Sequence, residues 1–170
     1  MIRLATADDA NALAELAAET FPLACPPSTS PESIREFIDT HFTPDHFVTY
    51  LADPSRAILV DADFGGYTLL IFEEPSDEDV ARAITAHPTA ELSKCYARAS
   101  THGTGLASQL MTASIELARS RGVAGVWLGV NEHNARANAF YAKHGFEQVG
   151  TKRFWLGDHW EDDFVRELVF

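Results

Sequence analysis

The chain has 170 residues, of which 46% are hydrophobic, and its formal net charge at pH 7 is −12. This length and composition predict one globular domain over residues 1–170, and no apolar run is long enough to span a bilayer as a helix. The strong negative charge argues against a nucleic-acid partner, whose phosphates the chain would repel, and permits a cationic substrate.

The N-terminus, the cysteines and the histidines predict a cytoplasmic protein without a membrane anchor or a metal. Acidic residues appear already at Asp8 and Asp9, so the start of the chain lacks the apolar core of a signal peptide. Cys25 and Cys95 stand far apart, and the seven histidines form no pair with the spacing of metal ligands. A disulfide is not expected in a reducing compartment.

The first predicted elements are a strand and two helices. Residues 1–6 predict an edge strand, and a helix is expected from a capping aspartate at position 8 or 9 to Phe21. Prolines end this helix, so residues 22–30 form a loop. The Ser-Pro pair that closes the loop is a typical helix start, and the second helix is expected to end near residue 40.

Short apolar runs occupy the middle of the chain. The run at residues 46–51 fits either a helix or a strand. Residues 57–60 and 64–72 predict two strands of a hairpin joined by an Asp-Ala-Asp turn. The stretch 73–88 is acidic and polar, with a short helix expected over residues 77–86.

The C-terminal half alternates strands and helices more regularly. Residues 91–97 predict a strand, a glycine-rich turn at 102–107 leads into a long helix, and residues 125–131 predict a second apolar strand. Another helix follows near Asn134. The chain then closes with a strand from residue 147 to 151 or 156, a loop at 157–163 and a final strand at 164–170.

The turn at residues 102–107 has the composition of an anion-binding site. Gly103 and Gly105 can adopt backbone angles closed to other residues, and they allow a ligand to approach the main chain closely. A helix that starts there directs unpaired N–H groups and its positive dipole end at one point, which suits a phosphate or pyrophosphate. Taken alone, the turn is more typical of an ordinary strand-to-helix connection than of a phosphate site, because it lacks the features of a P-loop or a dinucleotide turn.

Two motifs in this half resemble the GCN5-related N-acetyltransferases, the GNAT family. The family carries Gln/Arg-x-x-Gly-x-Gly/Ala between a strand and a helix, and the chain has His102, Gly105 and Ala107 at those positions. The family also carries an Asn-x-x-Ala-x-x-x-Tyr-x-x-x-Gly-Phe motif, and the matching residues are Asn134, Ala137, Tyr141, Gly145 and Phe146. The one departure is His102 in place of Gln or Arg, which is expected to remove a side-chain contact and to leave the backbone donors intact.

The resemblance implies an α/β (α+β) fold of the GNAT type. Such a fold has a mixed, mostly antiparallel sheet of six or seven strands, helices on both faces and two central strands that splay apart. The resemblance also implies an enzyme that transfers an acetyl group from the cosubstrate acetyl-CoA to an amine, directly within a ternary complex. Homodimerisation is common in the family and would cover exposed edge strands.

The resemblance assigns the two proton-transfer roles of such a site. Tyr141, whose phenol keeps its proton at neutral pH, is expected to act as the general acid for the leaving thiolate. Glu91 is the first candidate for the base that deprotonates the amine, and strand alternation would place it on one face with Ser93 and Cys95. The alternative bases are Glu73, Glu74, Asp163 and a water relay.

The remaining assignments concern acetyl-CoA. By resemblance, strand 91–97 binds the pantetheine arm like an added strand, the turn holds the pyrophosphate through backbone N–H groups, and Asn134 caps its helix or contacts the arm. The predicted cofactor-binding residues are Cys95, Tyr96, Ala97, His102, Gly103, Thr104, Gly105, Leu106, Ala107, Ser108, Asn134 and Tyr141. A ping-pong route through Cys95 is the less favoured alternative, because a strand cysteine is usually a small apolar packing residue.

The sequence defines the acceptor less well. The pattern Phe154-x-Leu156-Gly157-Asp158 resembles the bacterial spermidine/spermine acetyltransferase branch, which favours a small polycation as the acceptor amine. The candidate carboxylates for binding it are Glu73, Glu74, Asp77, Glu78, Asp79, Asp158, Glu161, Asp162 and Asp163, with Trp155 and Trp160 as candidate covers for the cation. The alternatives are merely solvated acidic loops, a protein N-terminus or lysine as acceptor, and an acyl-CoA-binding regulatory domain without turnover.

Overall fold

Seven strands and six α-helices make up the computed structural model, which describes all residues from 1 to 170. The strands are β1 (Ile2–Leu4), β2 (Arg56–Asp61), β3 (Gly66–Ile71), β4 (Thr89–Ala97), β5 (Gly125–Asn131), β6 (Glu147–Leu156) and β7 (His159–Val169). The helices are α1 (Ala10–Ala24), α2 (Pro31–His41), α3 (Pro44–Ala52), α4 (Glu78–Ala83), α5 (Leu106–Ser120) and α6 (Ala135–Lys143).

The strands form one sheet in the order β1-β2-β3-β4-β5-β7-β6, in which only the β4–β5 pair is parallel. That parallel pairing is short and runs from Thr89 opposite Gly125 to Glu91 opposite Trp127. Beyond it, β4 stays paired with β3 and β5 with β7, so the two central strands diverge. The predicted mixed, mostly antiparallel sheet with splayed central strands is confirmed.

Helices cover both faces of the sheet, as the resemblance implied. Helices α5 and α6 pack on one face, where the buried cluster consists of Ala57, Leu70, Leu92, Met111, Ala118, Val126, Leu128, Val130 and Phe146. Helices α1, α2 and α3 pack on the other face, against a cluster that includes Leu13, Leu16, Phe21, Phe47, Ile58, Val60, Tyr67 and Leu69. Val80 of α4 and Ile84, the residue that follows α4, pack on Trp127 at this second face.

Capping residues set the starts of α2 and α3. Ser30 caps α2 by accepting a hydrogen bond from the N–H of Ser33 at 3.1 Å, with a proline in the first helical position, as predicted. Thr43 caps α3 in the same way, again followed by a proline. This capping signal precedes the ambiguous run at residues 46–51 and decides that the run is helical.

Two helices differ in length from the predictions. Helix α1 continues through Pro22 to Ala24, because a proline in the last turn disrupts little of the hydrogen bonding of a helix. Helix α4 ends at Ala83, earlier than predicted, because the next backbone N–H groups, those of Thr85 and Ala86, donate instead to the buried carboxylate of Glu167. None of the helices is both long and apolar enough to cross a membrane.

The last two strands form a tight hairpin. Strand β7 begins at His159, so the predicted loop at residues 157–163 is wrong, and the connection consists of Gly157 and Asp158 alone. A Gly-Asp pair between two strands is a hairpin signal that could have been recognised in the sequence. The two indoles of Trp155 and Trp160 are cross-strand partners with ring centroids 5.1 Å apart, and both remain half-exposed.

Candidate active site

A cleft opens where β4 and β5 diverge, and its volume is about 330 Å³. One wall comes from the C-terminal halves of the two strands, from α6 and from the glycine-rich turn, and the other comes from the α1–α2 connection and the β6–β7 hairpin. Eight of the predicted site residues line it, namely Glu91, Cys95, Tyr96, Ala97, His102, Ala107, Asn134 and Tyr141. The short parallel pairing therefore creates the space in which these residues meet.

Five other predicted cofactor-binding residues belong to the turn and to the start of α5 but do not line the cleft. They are Gly103, Thr104, Gly105, Leu106 and Ser108. Gly103 has a φ of +82° and Gly105 a φ of +87°, in the left-handed region that favours glycine. No atom lies within 4 Å of the position that a Cβ would take at either residue. The main chain of the turn is therefore open to a ligand.

The turn also presents free hydrogen-bond donors. The N–H groups of Gly103, Gly105, Ala107 and Ser108 have no acceptor within the chain, and no side chain caps α5. These four N–H groups lie at the positive end of the helix dipole, and this arrangement is typical of an anion-binding site. These residues fit the pyrophosphate group of a CoA cosubstrate.

His102, the one departure from the motif, bridges two elements. Its Nε2 lies 3.3 Å from the carbonyl oxygen of Ala97 at the end of β4, and its Nδ1 lies 3.0 Å from Nη1 of Arg136. Arg136 lines the cleft and adds a positive charge beside the turn, although it was not among the predicted residues. Its position in the first turn of α6, inside the Asn134 motif, is the signal that could have identified it.

Tyr141 presents a free hydroxyl group to the cleft. Asn134 caps α6 by accepting a hydrogen bond from the N–H of Ala137 at 3.1 Å, and Tyr141 lies about two turns further along this helix. The Tyr141 hydroxyl forms no hydrogen bond within the chain, and its side chain is half-buried. Burial raises the pKa of Tyr141 well above its ordinary value, so the phenol keeps its proton and can donate it.

A bulge in β4 determines which side chains share a sheet face with Glu91. The pairing of β4 with β3 shifts by one position, which leaves Ser93 as an extra residue. Glu91 consequently shares a face with Lys94 and Tyr96, whereas Cys95 points to the opposite face. The prediction that Glu91 shares a face with Ser93 and Cys95 is therefore wrong, because strand alternation does not continue across a bulge.

Glu91 and Lys94 are half-buried charged residues without an ionic partner. The Glu91 carboxylate forms no hydrogen bond or ion pair, and Lys94 Nζ donates only to the carbonyl oxygen and the hydroxyl of Ser93, at 3.1 and 3.2 Å. Burial raises the pKa of Glu91 and lowers the pKa of Lys94, while their mutual attraction opposes both shifts. Each side chain is therefore easier to neutralise than in water, which suits proton transfer near neutral pH.

The opposite wall of the cleft carries charges that are already paired. Lys152 Nζ lies 3.6 Å from Asp163 Oδ2, and both side chains are largely buried. Glu161 accepts a hydrogen bond from Asn131 Nδ2 at 3.2 Å and lies 2.8 Å from Nε2 of His159. Sequence reasoning missed the lysines on both walls, because an isolated lysine in a strand is usually directed to solvent.

Most of the other candidate carboxylates lie away from the cleft. Glu73 accepts a hydrogen bond from Ser55, Glu74 lies 2.7 Å from Nδ1 of His87, and neither carboxylate lines the cleft, so the structure does not support either residue as the base. Of the nine carboxylates considered for acceptor binding, only Glu161 and Asp163 line the cleft.

Cys95 lines the cleft as a half-buried thiol. Burial raises the pKa of Cys95 to about 12. A thiolate is the nucleophilic form of cysteine, and it is scarce at neutral pH when the pKa is this high. The structure therefore gives no support to a ping-pong route through Cys95.

Comparison with known proteins identifies the class of protein to which this site belongs. The sequence profile of the Acetyltransferase (GNAT) family matches residues 10–146. The chain is 47% identical over 166 residues to an uncharacterized N-acetyltransferase of Mycobacterium tuberculosis. The aligned region covers 95% of this chain and 99% of that protein. It is 30% identical over 151 residues to an uncharacterized N-acetyltransferase of Lactobacillus delbrueckii subsp. lactis, which covers 86% and 84% of the two chains.

A solved structure supports the same fold. The PaiA N-acetyltransferase of Thermoplasma acidophilum, crystallised in complex with coenzyme A, is 20% identical and superposes with a TM-score of 0.78 over 100% of this chain and 98% of that chain. The chain belongs to the GNAT family of acetyltransferases. Family membership confirms the predicted enzyme class, an N-acetyltransferase with acetyl-CoA as its cosubstrate.

Proposed function

We propose that the chain transfers the acetyl group of acetyl-CoA directly to a primary amine that enters the cleft between the α1–α2 connection and the β6–β7 hairpin. One observation carries the proposal: the free phenol of Tyr141 and the free carboxylate of Glu91 line the same cleft. Acetyl transfer to an amine needs an acceptor for the proton of the amine and a donor for the leaving thiolate. These two side chains can supply both functions.

Glu91 is the proposed proton acceptor. An alkyl amine has a pKa of about 10 and is mostly protonated at neutral pH, so it must lose a proton before it can act as a nucleophile. Burial raises the pKa of Glu91, which makes the carboxylate a stronger base than one in water. Tyr141 holds a proton at its hydroxyl for the thiolate that acyl transfer releases.

The turn and β4 are proposed to bind and orient the cosubstrate. The free N–H groups of Gly103, Gly105, Ala107 and Ser108 are available to the pyrophosphate, with Arg136 beside them as a cation. Where β4 diverges from β5 it is paired on one side only, so its other edge can pair with the pantetheine arm.

A small polycation such as spermidine or spermine is the acceptor that the sequence favours. Its support in the structure is partial, because three carboxylates line the cleft, Glu91, Glu161 and Asp163, but two lysines line it as well. A protein N-terminus or a lysine side chain is the alternative acceptor.

The experiment that tests the proposal measures thiol release from acetyl-CoA with a panel of polyamines, amino acids, aminoglycosides and basic peptides. Turnover with at least one amine and a measurable Kd for CoA are expected. In Glu91→Gln we expect kcat/KM to fall roughly 10²-fold and to lose the part of its pH profile that reports the base, with the Kd for CoA unchanged.

Glu116→Gln is the matched control, because Glu116 is exposed on α5 away from the cleft and should behave like the unchanged protein. If Glu91→Gln keeps the original pH profile, Glu91 is not the base. If CoA binds and no amine is acetylated, direct transfer to a primary amine in this cleft is wrong.

Homodimerisation, a cytoplasmic location and a single domain remain predictions from the sequence. Strand β6 is an edge of the sheet, and Trp155 on β6 and its cross-strand partner Trp160 on β7 are 49% and 52% exposed. An open edge with apolar side chains fits pairing with a second copy of the chain. Sedimentation equilibrium of the unchanged protein and of Trp160→Glu would test this, with a dimer expected only for the former.

A further inference from the structure

We infer, on the basis of the proposed function, that the acceptor carries a negatively charged group, such as the carboxylate of an amino acid, a few atoms away from the amine that is acetylated. The structural basis is a pair of opposite charges on β4. Lys94 and Glu91 both line the cleft, and neither is paired with a group of opposite charge. Lys94 is then the residue that selects an acceptor of this class.

Lys94 places a cation in the cleft wall without forming an ion pair. An ammonium group has three donors, and Lys94 uses two of them on the carbonyl oxygen and hydroxyl of Ser93. Its Nζ also lies over the ring of Phe42, 5.9 Å from the ring centre, and this weak cation–π contact supplies no negative charge. A charge taken from water without a partner is costly, and buried lysines are therefore normally paired with carboxylates. A bound anion would supply the missing partner.

Glu91 is close enough in sequence to be that partner but does not pair with Lys94. The bulge at Ser93 puts both side chains on the same face of β4, yet no hydrogen bond or ion pair joins them. On the other wall, by contrast, Lys152 and Asp163 pair with each other. The cleft therefore contains one free carboxylate and one free ammonium group, and a zwitterionic acceptor would satisfy both, with its amine toward Glu91 and its carboxylate toward Lys94.

The lysines in the cleft favour an acceptor that carries a carboxylate over one that is only cationic. The chain has three lysines in all, and two of them, Lys94 and Lys152, line the cleft of a protein whose net charge is −12. A purely cationic acceptor would leave Lys94 unpaired and would be repelled by it, whereas an acceptor with a carboxylate would be attracted. Burial lowers the pKa of Lys94, and a bound carboxylate would raise it again.

The experiment compares amino acids with their carboxamides. A carboxamide keeps the amine and the side chain of the amino acid but removes the negative charge. Thiol release from acetyl-CoA, and calorimetric binding in the presence of CoA, are measured for alanine, phenylalanine and glutamate, for the three matched amides, and for spermidine. We expect kcat/KM for the preferred acid to exceed that for its amide and for spermidine by roughly 10- to 100-fold.

Substitutions of lysine assign this preference to one side chain. In Lys94→Gln we expect kcat/KM for the acid to fall much further than kcat/KM for the amide, so that the two values become similar, and the binding constants should change in parallel. Lys94→Arg keeps the charge and should retain part of the preference. Lys143→Gln is the matched control, since Lys143 is exposed at the end of α6 outside the cleft and its loss should change neither substrate.

Several outcomes would overturn the inference. These are equal kcat/KM values for acid and amide, a preference for spermidine, an equal effect of Lys94→Gln on acid and amide, and the absence of binding by any of the acids. Failure of the proposed function looks different, because CoA would then bind while no amine of any class is acetylated.

Discussion

Tyr141 contributes a single hydroxyl group to the cleft, and removal of that hydroxyl should affect catalysis alone. Since that hydroxyl bonds to no other group in the chain, Tyr141→Phe should leave the fold and the Kd for CoA unchanged. We expect kcat to fall roughly 10²-fold, because the leaving thiolate loses its proton donor. Thiol release measured under conditions where chemistry limits turnover checks this expectation.

Tyr67 provides the matched control for that substitution. Its hydroxyl is buried and also lacks a hydrogen-bond partner, but Tyr67 is a residue of β3 whose side chain lies in the core and not in the cleft. An unsatisfied buried hydroxyl is destabilising, so Tyr67→Phe should keep full activity and an equal or higher Tm. A kcat that falls equally in both variants would contradict a specific role for Tyr141.

Asp9 gives a prediction about stability and pH. Its carboxylate accepts hydrogen bonds from Arg3 Nη1 and Nη2 at 2.8 and 3.0 Å, and from the N–H of Thr6 at 2.8 Å. The hydrogen bonds from Arg3 lower the pKa of Asp9 from 3.8 to about 2. Because folding favours the ionised form, this stabilisation is fully present above pH 3.8 and is lost as the pH falls through about 2.

We expect Asp9→Asn to lower the free energy of unfolding by about 1–3 kcal/mol at pH 7, as measured by urea denaturation. The difference from the unchanged protein should shrink toward zero near pH 2. Asp8→Asn is the control, because Asp8 is exposed and forms no hydrogen bond, and it should be close to neutral at every pH. A loss of stability in Asp9→Asn that does not depend on pH would contradict the ionic explanation.

At the scale of an element, helix α5 has a left-handed glycine at each end, Gly105 before it and Gly122 after it. Both have φ values above +80°, and neither has an atom within 4 Å of the place of a Cβ. Valine at either position should therefore strain the backbone by a similar amount, on the order of 1–3 kcal/mol. Only Gly105 lies beside the free N–H groups that are proposed to bind pyrophosphate.

We therefore expect Gly105→Val to weaken CoA binding at least 10-fold by calorimetry, while Gly122→Val lowers the Tm by a similar amount and leaves the Kd for CoA unchanged. Equal effects of the two substitutions on the Kd would mean that the turn before α5 does not hold the cosubstrate.

At the scale of the whole molecule, the net charge of −12 opposes the approach of an anionic cosubstrate. Raising the ionic strength from about 10 mM to about 150 mM shortens the Debye length from about 30 Å to about 8 Å. We expect the association rate constant for CoA, measured by stopped flow, to rise several-fold over this range, and the dissociation rate constant to change less. An association rate constant that falls with added salt would show that attraction by Arg136 and the turn outweighs repulsion by the net negative charge of the chain.

Several elements of this fold could be predicted because they depend on neighbours in the sequence. The capping serine before α2, the glycine turn before α5 and the helix that starts at Asn134 are each set by contacts within a few residues. The hairpin at Gly157 had an equally local signal that was missed. The end of α4 had no local signal, because the N–H groups that follow the helix donate to the carboxylate of Glu167, which lies far away in the sequence on β7.

The class of fold, the family and the residues of its two motifs could be predicted from the sequence alone, because spacing along a helix or around a turn is preserved when the chain folds. The side chains that surround those motif residues depend on tertiary contacts. Lys94 joins Glu91 because pairing with β3 forces a bulge at Ser93, and Lys152 reaches the same cleft from a strand at the edge of the sheet. Such neighbours depend on register and on the divergence of two strands, which are set by contacts between distant segments and leave no local pattern in the sequence.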